Sequence, residues 1–185
     1  MTSPDPSRPE ALRRIAAIDA EAYARTRNAL DGAVTGLSPW ITHGIVTPAE
    51  VLAGAIAAHA AVGRRTPIGL QHRLVMELGW REYFRHVWHH RGDAILRSLH
   101  EGVLPGSAYA DAVPDDVRQA RTGVPVIDRA VRELHASGHL HNHARLWLAS
   151  YLVHLRKVHW RAGADWLWQT DTGRQVVHVS PRFAY

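Results

Sequence analysis

The sequence predicts an all-α fold, and three observations carry that prediction. Apolar residues recur at helical spacing, as in Leu12, Ile15, Ile18 and Ala22, which form one stripe of a helix expected over about residues 9–30. Helix punctuation recurs as well: Thr47-Pro48 offers a capping hydroxyl followed by a first-turn proline, and Gly138 closes a helical run. No stretch alternates apolar and polar residues as paired strands do, and there is no internal repeat, low-complexity tract or linker. The expected organisation is therefore a single helical domain over residues 1–185.

Taken in order, the first helix ends at the breaker Asp31-Gly32. A connection over residues 33–40 is rich in turn formers. The helix opened by Thr47-Pro48 runs to about His59, and a third spans about residues 67–90, stopped by Gly92-Asp93. Residues 102–116, with Pro105, Gly106 and Pro114, read as loop. Helices follow over about 126–137, 141–158 and 162–169, and Val176-Val177-His178-Val179 has an extended character.

A chain of 185 residues with 46% apolar and 21% charged residues is long enough to bury a sizeable core. The absence of cysteine excludes a disulfide framework, a thiolate zinc site and a cysteine nucleophile. No run reaches the roughly 18–20 apolar residues of a membrane helix, and the N-terminus lacks the basic-then-apolar order of a secretion signal. A soluble, cytoplasmic protein with no membrane partner is expected; oligomeric state is not indicated. The net charge of +5 favours polyanionic partners such as DNA or a phosphate-bearing cofactor, against the plain alternative of an Arg-rich surface. Fourteen His and seven Trp require an account.

Four segments could carry chemistry. In Met76–Phe84, Glu77 and Arg81 share a helix face, beside a stripe of Trp80, Phe84 and Trp88. Spacing alone favours an exposed ion pair beside a core stripe; the other reading is a charged pair lining a ligand pocket with Trp80 as a stacking wall. In Gly138–Arg145, Asn142 and Arg145 lie three apart at a helix start, where an amide and a fixed cation suit a polar ring or a phosphate. The other two, Thr122–Asp128 and Leu37–Trp40, are turns, the latter able to aim N–H and hydroxyl groups at phosphates.

In this order the segments resemble the photolyase/cryptochrome family. Leu37–Gly44 is similar to LSPYLHFG, Glu77–Glu82 to ELxWRE, Thr122–Asp128 to TGYPxVD, Gly138–Arg145 to GWMHNRAR and Trp160–Ala164 to DWRxGE. The resemblance runs from about residue 20 to residue 169. It implies the family's helical FAD-binding domain, truncated at its C-terminus and without the α/β antenna domain. Carried over position by position, it implies that Thr35 and Ser38 face the cofactor phosphates and that Glu77, Trp80 and Arg81 line the cofactor and substrate cavity. Asn142 and Arg145 would sit against the flavin ring, and Trp160 would match one tryptophan of the electron-transfer chain. Glu77, Trp80 and Trp160 are then the catalytic candidates.

The chain also departs from the pattern. Val34–Ser38 stands where the phosphate loop reads TSRLS, so Gly36 replaces an Arg. Leu74 and His139 stand at positions where the family carries Trp, and Leu146 follows Arg145 where Met is common. After Thr170 the register is open: an ungapped count places Gly173, Gln175 and Val179 at the ring-contacting positions, a short deletion places Asp171 and Gln175 there, and a longer one removes the loop.

The histidines add a competing idea. His135/His139, His139/His143 and His86/His90 are each four apart, a spacing that can bind metal or haem from one helix face, with His139 and His143 as the candidates; the plainer reading, favoured because no carboxylate stands at a reinforcing spacing, is polar surface residues. Three functions therefore stand open: an FAD-dependent electron-transfer protein acting on DNA or a small molecule, a repurposed pocket binding haem or a metal ion in a non-repair enzyme, and a non-catalytic nucleic-acid-binding module.

Overall fold

A computed structural model of the chain describes residues 5–98, 102 and 104–170. Among them there are helices and no strand, as the all-α prediction requires. Packing divides the chain into two compact units between Tyr83 and Phe84, within one long helix, and each is described by itself.

The unit ahead of Phe84 begins with α1 (Arg8–Ala16) and α2 (Ala20–Thr26). One continuous helix was expected over residues 9–30, but it breaks at Ala17–Asp19. Asp19 turns extended and its Oδ1 accepts the N–H groups of Glu21 and Ala22 at 3.1 and 3.0 Å. A carboxylate that satisfies two first-turn donors makes a new helix start cheaper than continuing the old one. The connection expected to be irregular contains a short helix, α3 (Ser38–Thr42), whose Trp40 is buried and donates its indole N–H to the Ser7 carbonyl at 3.1 Å.

α4 (Pro48–Ala61) starts as the sequence requires. Thr47 accepts from the Glu50 N–H at 3.1 Å, and Glu50 accepts from the Thr47 N–H at 2.8 Å, a complete capping box. Its buried face is Val51, Ala55 and His59. α1 packs on α4 so closely that a Cβ at Gly54 would overlap Ile15 Cγ2. Ala11, Ile15, Leu37, Trp40, Val51, Ala55 and Leu74 form this unit's core. α5 (Arg73–Arg91) begins six residues later than its expected start at 67.

From Phe84 onward a second core gathers α6 (Asp115–Arg118), α7 (Pro125–Ser137), α8 (Asn142–Ser150) and α9 (Trp160–Thr170). Part of the expected loop 102–116 is ordered as a 3₁₀ turn at Gly106–Ala108 and the start of α6. The buried Asp128 accepts from the Thr122 N–H and hydroxyl at 2.8 and 2.7 Å and from the Gly123 N–H at 3.3 Å, and so ties the preceding turn to α7. Gly138 closes α7 in the left-handed region at φ 62°. The single helix expected over 141–158 is α8 followed by a π-helical turn at Tyr151–Leu155. The extended character expected at residues 176–179 lies outside the described residues.

Candidate functional site

In the first unit the last turn of α1 places Arg13 and Arg14 at the rim of a cleft of about 210 Å³, walled also by Asp19, Tyr23, Val34 and Thr35. Both arginines are fixed by one carboxylate. Glu10 receives Arg13 through Nε and Nη2 at 2.7 Å each and Arg14 through Nε at 2.7 Å. These hydrogen bonds, Arg13's first, hold the Glu10 carboxyl well below its usual range, at about 2. The Arg14 guanidinium also lies over the Trp40 ring, 4.7 Å from its centroid. Two cations sharing one anion leave this rim with a net positive charge.

The loop beside it turns at Gly36, with φ 62°. A Cβ there would stand 3.0 Å from Arg14 Nη1, a tight contact with the end of a flexible side chain, so the loop and the guanidinium approach closely. Thr35 Oγ1 accepts the Leu37 N–H at 3.4 Å and lines the cleft; Ser38, half-buried at the start of α3, is not among its walls. The structure thus places Thr35, but not Ser38, in this cleft. Ligand pockets that enclose a whole drug-sized molecule measure about 300–1,000 Å³. This cleft is smaller and suits one end of a ligand. Two guanidinium groups and a hydroxyl fit the phosphate end of a dinucleotide.

Glu77 and Arg81 do not behave as a simple exposed i, i+4 pair. Glu77 Oε1 lies 3.5 Å from Arg27 Nε, and Arg81 Nη2 donates to Thr42 Oγ1 at 2.7 Å. Tyr23 is drawn into the same charge set: burial, then the Glu77 charge, pushes its phenol up to about 12, against the opposing Arg27. Trp80 packs edge-on against Tyr83 with centroids 5.6 Å apart and is 48% exposed. Trp88 is exposed too, so the expected core stripe of Trp80, Phe84 and Trp88 is corrected: two of its three rings face solvent because the buried side of α5 runs through Leu74.

In the second unit α8 presents Asn142 and Arg145 on its first turn, as their spacing required. Arg145 is 6% exposed and donates through Nη2 to the Leu140 carbonyl at 3.2 Å. His141 caps the helix, its Nδ1 accepting the His143 N–H at 3.1 Å. Trp160 is buried at the start of α9 and donates its indole N–H to Ser98 Oγ at 2.7 Å. Asp171 lies outside the described residues.

The alternative of haem or metal bound through His139 and His143 is not supported. Metal sites need three or four converging ligands, and no such group of three or more occurs among the described residues. The other His pairs are occupied locally: His135 Nε2 bonds the Arg118 carbonyl at 2.9 Å, and His90 Nδ1 bonds the His86 carbonyl at 2.9 Å.

Sequence reasoning missed Arg13, Arg14, Tyr23 and Arg27. The available signals were the adjacent arginines one turn after Glu10 and the four-residue spacing of Tyr23 and Arg27, but neither says which loop they will face.

Residues 74–176 match the family described as the FAD binding domain of DNA photolyase. Among curated relatives, the chain is 33% identical over 152 residues to a cryptochrome DASH of Xenopus laevis, covering 78% of this chain and 28% of that protein. It is 31% identical over 148 residues to a cryptochrome DASH of Danio rerio, with the same coverage. The chain therefore spans under a third of the length of these relatives. Among solved structures, a cryptochrome of Synechocystis sp. PCC6803 superposes with a TM-score of 0.83 at 25% identity, covering 97% of this chain and 38% of that one. A bacterial class III photolyase from Agrobacterium tumefaciens shares the fold, with a TM-score of 0.78 at 21% identity over 100% of this chain and 40% of that one. By the family match over residues 74–176, and by relatives a third identical across most of its length, this chain belongs to the photolyase/cryptochrome family.

Proposed function

We propose that this chain binds FAD and carries out flavin electron-transfer chemistry, with DNA as the substrate. One observation carries the reading: the segment matching the FAD-binding domain contains Glu77, Trp80, Arg81, Asn142, Arg145 and Trp160, six of the residues that the motifs single out. Bound FAD supplies the one-electron chemistry, while the protein supplies orientation and electrostatics.

Within that reading each residue has a task suited to its chemistry. Thr35 offers its hydroxyl to the phosphates, while Ser38, outside the cleft, has no such task. Arg145, buried at the start of α8, offers a fixed cation to an electron-rich ring, and Asn142 offers an amide able both to donate and to accept. Glu77, held by Arg27, sets the local charge. Trp160, buried and hydrogen-bonded, is a rigid aromatic suited to relaying an electron. Trp80, with nearly half its surface exposed, presents a face on which a base can stack, an interaction worth about 1–3 kcal/mol.

The absorbance spectrum of the purified protein tests the cofactor. Flavin bands in the blue are expected, and Arg145→Ala should abolish cofactor retention. A protein that stays colourless after incubation with FAD would sink the reading; an Arg145→Ala variant equally coloured and folded would remove Arg145 from the site. DNA binding is checked by mobility shift across a salt series, where affinity should fall steeply as salt rises.

A further inference from the structure

We propose that Arg14 binds the phosphoryl groups of the cofactor in the cleft beside Thr35. The inference rests on the flavin reading above and names a residue that the motifs do not.

Four features converge on Arg14. It lines the same cleft as Thr35. Its Nη1 reaches the loop, 3.0 Å from the place of a Cβ at position 36. Its orientation is fixed on two sides, by Glu10 at Nε and by the Trp40 ring beneath. A planar cation held this way loses little further freedom when it binds, which is what makes a good phosphate clamp. Finally, charge is left over for an anion. Arg13 and Arg14 share Glu10, while Arg64 pairs with both Asp19, the acidic wall of the cleft, at 3.2 Å and Glu21, which Arg25 also approaches at 3.8 Å, so the arginines outnumber the carboxylates.

The size of the cleft sets the class of ligand. About 210 Å³ takes a phosphate or diphosphate and leaves the rest of a dinucleotide outside. Arg14 therefore acts on the phosphates alone, and its loss should separate phosphate-bearing ligands from the bare ring.

Calorimetric titration with ADP and, separately, with riboflavin makes that separation. In Arg14→Gln the ADP dissociation constant should rise about tenfold or more, the ordinary size of a lost charge-assisted hydrogen bond. Riboflavin affinity should stay within about twofold of wild type. Equal ADP affinity in both proteins, or no ADP binding to wild type, overturns the proposal. If wild type takes up ADP in an Arg14-dependent way but neither FAD nor riboflavin, the flavin reading fails and Arg14's role stands. Should circular dichroism show that Arg14→Gln does not fold, Arg14→Lys decides. It keeps the charge and loses the fork, so ADP affinity should still fall; an unchanged affinity overturns the proposal.

Discussion

The two units hold their arginines in opposite ways. Before Phe84 the cations sit at a rim: Arg13 and Arg14 lean on Glu10, and Arg14 lies over Trp40. After Phe84, Arg145 is taken inside, bonded to the Leu140 carbonyl and carried on a helix whose next turn, Leu148 and Ala149, is core. A rim cation is oriented by charge, so pH and salt reach it. Arg145, only 6% exposed, is shielded from solvent, and the helix that carries it is fixed by its core.

The largest effect expected from this contrast is on the packed side. Leu148 is fully buried three residues after Arg145, and Leu148→Ala should cost about 2–5 kcal/mol in denaturant unfolding. If the cost is below about 1 kcal/mol, α8 is not fixed by its core and the contrast breaks.

On the other side, α1 is held against α4 at Gly54. Gly54→Ala forces Ile15 aside, an overpacking cost of about 1–3 kcal/mol, offset by about 1 kcal/mol of better helix propensity. A net loss of about 1 kcal/mol is expected from denaturant unfolding. A stabilised variant would show that α1 yields freely and that its arginines are not rigidly placed.

The smallest effect is the pH response of the rim. The hydrogen bonds from Arg13 and Arg14 hold the Glu10 carboxyl at about 2 in the folded state, below its ordinary 4.5. Its contribution is therefore complete above the unfolded value and is lost as pH falls through the folded one. Glu50, depressed to about 2 by Arg8 and by Thr47, behaves alike. Acid titration by circular dichroism should show the wild type losing stability between pH 4.5 and 2 more steeply than Glu10→Gln. Identical acid limbs would mean that the Glu10 pairing contributes nothing.

How much of this was legible in the sequence differs with the kind of signal. α4 and α7 were readable because their ends are marked by local chemistry, Thr47-Pro48 and Gly138. The break at Asp19 was not, because Ile18 and Ala22 continue the apolar spacing of Ile15 straight through it. The late start of α5 and the π turn at Tyr151–Leu155 leave no local mark at all. For the site, Asn142 and Arg145 were found because three-residue spacing on a helix start places them together. Glu77 and Arg81 were correctly put on one helix, but Arg27 and Thr42, which they meet, come from other segments that spacing cannot see. The Arg14–Gly36 contact is the extreme case. Twenty-two positions separate the two residues, and one of them is notable only for lacking a side chain.

That contact links the two positions under substitution. A residue added at 36 meets a backbone at φ 62° and, less severely, the end of a flexible guanidinium that must give way. Shortening position 14 relieves only the second, so the backbone, more than the guanidinium, keeps glycine there.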